Sequence, residues 1–210
     1  MNIDLLIQAR INSTRLPGKI LKEANGKPML WYLLESMRRV PHIREIVVLC
    51  PIGDIGKIPA PRFWTGDEHD VAERFVSYCV SHRPDGFARI CGDSPLLDWR
   101  VVDNLRMMFE ETDSFLISNV GGGYPPGQHV EFVDTEFFLD NKDKLDNEHV
   151  LPPLYSLAGT SYRRVGIMPP RDSPPMVLDT PDDLKRIKRI LEFCDYKPWA
   201  QPWSDLQRWA

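Results

Sequence analysis

The chain has 210 residues, 42% hydrophobic and 27% charged, which is enough to bury a sizeable core as one domain and too ordinary a composition for a disordered or fibrous protein. Its 26 Lys and Arg against 30 Asp and Glu leave a formal net charge of -4, a poor balance for general nucleic-acid binding. No apolar run approaches the roughly 20 residues of a membrane span. Residues 1–7 are interrupted by Asp4 and do not read as a signal peptide, and four scattered cysteines without a CxxC pair support neither a disulfide framework nor a metal cluster. A cytoplasmic globule is expected.

Residues 3–7 form a short apolar run suited to a buried central strand. A polar segment follows over 10–27. Pro28 then opens a series at helical spacing: Met29, Leu30, Leu33, Leu34, Met37 and Val40. Residues 46–50 are β-branched and apolar and end at Pro51, completing the strand–helix–strand unit of a parallel sheet. The rhythm repeats with a short strand over 62–65, a helix from about 69 to 81, and a strand over 87–91. A helix capped by Asp98 comes next, with Val101, Val102, Leu105, Met108 and Phe109 on one stripe, and then a strand over 115–117. Beyond residue 119 the pattern loosens. Residues 121–127 read as a loop and lid, 130–133 and 162–168 as strands, and 176–178 as a strand leading to a helix over 180–193. Thr180 supplies that helix's N-cap, Pro181 its first turn and Asp183 its capping-box acid. These elements predict a three-layer α/β domain over 1–195 with a mainly parallel sheet and a small lobe inserted at about 120–175. A tail follows over 196–210, whose tryptophans are expected to pack on the domain.

Ligands of open α/β sheets bind beyond the carboxyl ends of the strands, and three polar segments fall there. Residues 10–27 carry Arg10, Arg15, Lys19, Lys22 and Lys27 against one acid, Glu23. With Ser13, Thr14 and Gly18 as donors this loop suits a polyphosphate, although it is neither a Walker A nor a GxGxxG motif; a solvated basic loop is an equal reading. Gly92-Asp93-Ser94-Pro95 puts a carboxylate at a strand end where Mg²⁺ could sit, or makes an Asx turn. Asp179 precedes a capped helix without being needed to start it. Two such carboxylates beside a basic loop are the minimum set for Mg²⁺-assisted nucleotidyl transfer, but nothing in the sequence alone brings them together. Five histidines without HxH or HExxH spacing argue against zinc, and no GxSxG elbow marks a serine nucleophile.

The run Gln8-Ala9-Arg10-x-x-Ser13-Thr14-Arg15-Leu16-Pro17-Gly18-Lys19 resembles the signature of cytidylyltransferases that activate sugars as CMP conjugates. That family includes the 3-deoxy-manno-octulosonate and acylneuraminate enzymes, and the nearest likeness is to its spore-coat polysaccharide biosynthesis branch. Further matches follow in order: Gly66-Asp67 with Asp70-Val71 and Arg74, Arg89-Ile90-x-Gly92-Asp93-x-Pro95-Leu96, Val130-Glu131, Glu148-His149-Val150, and Leu178-Asp179-Thr180-Pro181-x-Asp183-Leu184. The resemblance covers most of residues 3–190. It implies a Rossmann-like nucleotidyltransferase fold, Mg²⁺ as cofactor, and attack of an acceptor oxygen on the α-phosphorus of CTP with release of pyrophosphate. By the same resemblance Arg10 and Lys19 hold the triphosphate, Ser13 and Arg15 line the same loop, and Asp93 and Asp179 ligate the metal. The Ala9 and Arg10 backbone, the Thr65-Gly66-Asp67 turn and Arg74 lie near the nucleoside, and His129, Glu131, Glu148 and His149 fall on the acceptor side.

Three departures stand out. Asn12 replaces a small residue, Cys50-Pro51-Ile52 replaces the nucleoside-contacting turn Ala-Thr-Thr/Ser, and Asn147 stands where Arg is frequent, which leaves the acceptor's charge open. A homodimer is expected from the resemblance and from the apolar content of 120–175 and the tail. Two rival functions remain: transfer to a non-sugar acceptor such as a phosphonate or polyol phosphate, and a nucleotide-binding module without turnover.

Overall fold

The computed structural model describes residues 1–168 and 173–209. Strand β1 (Ile3–Gln8) is followed by the polar segment and a two-residue hairpin, β2 (Glu23–Ala24) and β3 (Lys27–Pro28). Helix α1 (Met29–Met37) starts directly after Pro28 and stops before Val40, whose amide closes a turn onto the Met37 carbonyl. Strand β4 (Glu45–Pro51) and strand β5 (Phe63–Gly66) come next, then helix α2 (Val71–His82), whose N-cap Asp70 accepts from the Glu73 amide at 2.9 Å. Strand β6 (Gly86–Cys91) leads to helix α3 (Trp99–Glu110), capped as expected by Asp98. Strand β7 (Leu116–Ser118), strand β8 (Glu131–Asp134), helix α4 (Thr135–Asp140), helix α5 (Pro152–Ala158) and strand β9 (Tyr162–Arg164) follow. Helix α6 (Pro181–Phe193) carries the expected Thr180–Asp183 capping box, and the short helix α7 (Trp203–Leu206) lies near the end.

Seven strands form one sheet in the order β5-β4-β1-β6-β8-β7-β9. The run β5-β4-β1-β6 is parallel throughout; β8 is antiparallel to both β6 and β7, and β9 is parallel to β7. This is the three-layer, mainly parallel α/β architecture expected of the chain. β1 sits at the centre, and its alternation divides the layers. Ile3, Leu5 and Ile7 pack with residues of α1, α3 and α6, whereas Leu6 packs with residues of α2, α4 and α5. Asp4, fully buried in β1, is neutralised by Arg44 (Nε–Oδ1 2.9 Å, Nη2–Oδ2 2.5 Å) and accepts from the Tyr78 hydroxyl at 2.8 Å.

The structure corrects several element boundaries. The strand expected over 62–65 is shifted by one residue, the helix expected from 69 begins at Val71 because Asp70 caps it, and only the first three residues of 162–168 pair as strand. Residues 176–178 are not a strand. Met176 and Leu178 are buried, but their amides go singly to the carbonyls of Pro126 (2.6 Å) and Asp93 (2.8 Å), two loop residues. The stretch 120–175 contributes β8 and β9 to the central sheet; its residues 169–172, and Ala210 of the tail, lie outside the described residues.

The loop 121–127 is packed on both sides. Gly122 accepts from the Ile167 amide at 2.8 Å, and a Cβ on Gly127 (φ 94°) would lie 2.4 Å from the Met176 carbonyl carbon. In the tail, Trp199 meets Trp31 edge-on at 5.7 Å, Trp203 is buried with its amide on Asp98 Oδ2 at 2.9 Å, and Trp209 stacks on Phe193. Among the described residues no helix is long and apolar enough to cross a membrane.

Candidate active site

A cavity of about 410 Å³ opens beyond the carboxyl ends of β1 and β6. The basic loop forms one wall. It folds back on itself through the Gly18 amide on the Ile11 carbonyl at 3.0 Å, with Gly18 at φ 66°, a left-handed conformation that glycine adopts without strain. Asp54, brought in by the turn after Pro51, braces the loop by accepting from the Ile11 amide at 2.9 Å. Asn12 ties the loop's outer side to Glu68 at 3.1 Å. The opposite wall begins at Gly92. A Cβ there would lie 3.0 Å from the Gln8 carbonyl and 3.1 Å from Ala9 Cβ, so glycine lets the exits of β1 and β6 press together.

Two carboxylates that are 86 positions apart in sequence meet in this cavity. Lys19 Nζ donates to Asp93 Oδ2 at 2.5 Å and to Asp179 Oδ1 at 2.8 Å, and Arg15 Nη2 lies 3.0 Å from Asp179 Oδ2. The main chain holds the two acids together: the Leu178 amide donates to the Asp93 carbonyl at 2.8 Å, and the Asp179 amide donates to Asp183 at 3.1 Å. Burial alone would push the Lys19 ammonium down, but the two aspartates outweigh it and hold the group above its ordinary value. Lys19 is therefore a cation across the neutral range.

The other expected residues divide between the cavity and its surroundings. Ala9, Arg10, Ser13, Arg74, Glu148 and His149 line it with the residues just named. Arg10 reaches Glu148 at 3.2 Å across the mouth, with both side chains well exposed. Arg74 is 1% exposed; its Nη1 donates to the Leu49 carbonyl at 3.2 Å, its Nε has no hydrogen-bond partner among the described residues, and burial pulls its pKa down. Gly66, Asp67, His129 and Glu131 stand outside the cavity wall among the described residues. Gly66 makes room for Arg74, whose Cγ would be 2.8 Å from a Cβ at that position. Asp67 accepts from the His69 and Asp70 amides at 2.7 and 2.9 Å, which hold its carboxyl below the usual range. The His129 ring is bonded to the Tyr124 carbonyl at 3.1 Å. Glu131 is 3% exposed, with one oxygen taking Arg89 Nη1 at 2.6 Å and the other the Tyr155 hydroxyl.

Arg89 lines the cavity where sequence reasoning assigned it no role. Its Nε donates to Gln8 Oε1 at 2.9 Å, so Gln8 and Glu131 fix the guanidinium from two strands. One signal pointed to it: a lone charge inside the otherwise apolar run 87–91.

The donor set suits magnesium. Two acid oxygens converge on a single positive nitrogen, so they can be no farther apart than the sum of those two bond lengths. Mg²⁺ takes one or two carboxylates and completes its shell with phosphate and water. Among the described residues no group of three or more His, Cys, Asp or Glu could hold a metal unaided, and the paired carboxylates in the cavity are those of Asp93 and Asp179.

A mainly parallel α/β sheet with a basic loop and paired acids at its carboxyl edge is the layout of a nucleotidyltransferase. The cytidylyltransferase family model matches residues 5–201, and the chain belongs to that family. It is 26% identical over 220 residues to the spore coat polysaccharide biosynthesis protein SpsF of Bacillus subtilis, covering 94% of this chain and 89% of that one. Its fold matches a cytidylyltransferase structure from Leptospira borgpetersenii with a TM-score of 0.87 at 22% identity, over 99% of this chain and 93% of the other. A CMP:2-keto-3-deoxy-manno-octonic acid synthetase complexed with CTP matches with a TM-score of 0.68 at 17% identity, over 92% and 99%.

Proposed function

We propose that this cytidylyltransferase moves CMP from CTP to a sugar or sugar-acid hydroxyl for surface polysaccharide synthesis. The observation that carries this reading is the convergence of Asp93 and Asp179 on one point beside Arg10, Arg15 and Lys19. In the reaction the acceptor hydroxyl oxygen bonds to the α-phosphorus and gives up its proton to solvent, the bond from that phosphorus to the bridging oxygen breaks, and pyrophosphate leaves. The α-phosphorus is shielded by anionic oxygens, so positioning and charge neutralisation dominate catalysis. Lys19, Arg15 and Arg10 bind the β- and γ-phosphates, with Ser13 as a further donor, and the Ala9 backbone and Arg74 border the nucleoside. Asp93 and Asp179 would hold Mg²⁺, which would supply charge neutralisation at the α-phosphate. Arg89, held by Gln8 and Glu131, faces the acceptor side together with Glu148 and His149.

Replacing Asp93 or Asp179 with Asn keeps the shape and removes one charge. Turnover, read as pyrophosphate released from CTP with a panel of sugar acids, neutral sugars and polyol phosphates, is expected to fall on the order of 10²-fold or more. CTP binding without metal is expected to persist, because the basic loop is unchanged. Near-normal rates in both variants would remove the metal assignment, and turnover confined to the polyol phosphates would move the acceptor out of the sugar class.

A further inference from the structure

Resting on the metal reading above, one feature of the site bears on the order in which its ligands enter. The point that both acids address is held by the protein itself. Lys19 Nζ bonds to both carboxylates, and Arg15 takes the second oxygen of Asp179, so three of the four acid oxygens face a cation of the chain. Two monovalent cations balance two carboxylates, and the cluster is neutral without a metal. The Lys19 side chain is 13% exposed and the two aspartates 22%, so water screens this pairing only partly. Both cations belong to the basic loop that lines the cavity, and both sit on long side chains: Lys19 opens a short turn directly after Gly18, and Arg15 is two-thirds exposed.

We propose that Lys19 is the resident counter-ion of Asp93 and Asp179 in the nucleotide-free enzyme, and that a divalent metal enters only when the triphosphate draws Lys19 away. A metal arriving alone meets a lysine already bonded to both ligands and must break two close, partly buried ion pairs to reach them. A triphosphate offers Lys19 and Arg15 new anionic partners in the same cavity, and their departure exposes the acid oxygens. Nucleotide and metal therefore enter as a coupled pair, and each raises the affinity of the other by the same factor.

The test is Mn²⁺ binding, read by the paramagnetic signal of the free ion, with and without CTP. The proteins are wild type, Lys19→Met, Lys19→Gln, Asp93→Asn, and Lys19→Met combined with Asp93→Asn. Wild type is expected to take up Mn²⁺ at this site only with CTP present. Lys19→Met is expected to bind Mn²⁺ without nucleotide at least about tenfold more tightly than wild type, and the added Asp93→Asn change to abolish that gain. Because removing the lysine leaves two acids facing each other, Lys19→Gln provides a second reading: Mn²⁺ alone should raise its melting temperature more than that of wild type. Equal nucleotide-free Mn²⁺ affinity in wild type and the Lys19 variants overturns the proposal. If Asp93→Asn alone still weakens Mn²⁺ binding in the presence of CTP, the metal reading survives that loss; if it does not, both fall.

Discussion

Arg10 and Glu148 meet across the cavity mouth with 42% and 65% of their side chains exposed, the setting in which an ion pair contributes little to stability. Arg10 is thus available to a ligand at small structural cost. A charge-assisted contact to phosphate is worth about 1.5–3 kcal/mol, so Arg10→Ala should weaken CTP binding about tenfold or more while leaving the melting temperature almost unchanged. Calorimetry decides this, and unchanged affinity would reduce Arg10 to a surface charge. That Arg10, Lys19, Asp93 and Asp179 border one cavity was only partly legible: the charge of the 10–27 loop and the position of Asp93 after a strand could be read locally, whereas Asp179 follows a segment that bonds to loops and not the strand expected there. The Gln8–Arg89–Glu131–Tyr155 network was not legible as a unit. Its members lie singly in apolar segments, 81, 42 and 24 positions apart along the chain, and no local pattern links them.

At the scale of elements, periodicity was a good guide wherever a segment's burial is decided locally. The capping box of α6 and the Asp98 cap of α3 were readable residue by residue. Residues 176–178 looked like a strand because Met176 and Leu178 are apolar and buried, yet a strand also needs a continuous partner, and here two loops supply the hydrogen bonds. The same contact makes Gly127 a control point. A side chain there would combine φ 94° with a 2.4 Å approach to the Met176 carbonyl carbon, only three residues from Asp179. Gly127→Ala is expected to cost about 1–3 kcal/mol in denaturant unfolding and to raise the Mg²⁺ concentration needed for half-maximal turnover. A variant as stable as wild type with the same metal requirement would show that the segment yields freely.

Across the whole molecule, the antiparallel insertion of β8 between β6 and β7 was invisible in the sequence, since strand direction depends on the path of the connections rather than on composition. Its neighbours leave apolar surface at one end of the sheet. Phe115 is 45% exposed while stacked on Phe137, Leu157 is 43% exposed, and β9 is an edge strand of three residues. A monomer covers such an edge poorly, and we expect a homodimer that buries it. Sedimentation at micromolar concentration should give a single species of twice the chain mass; monomer alone would refute the assembly.

The hydrogen bond from the Leu178 amide to the Asp93 carbonyl bears on substitution at Asp93. It joins the two acid-bearing segments through atoms that every residue except proline possesses. Neither of its two atoms belongs to a side chain, so no side-chain substitution at Asp93 itself removes its acceptor. The two acid-bearing segments are therefore joined by a main-chain bond rather than by a pair of side chains.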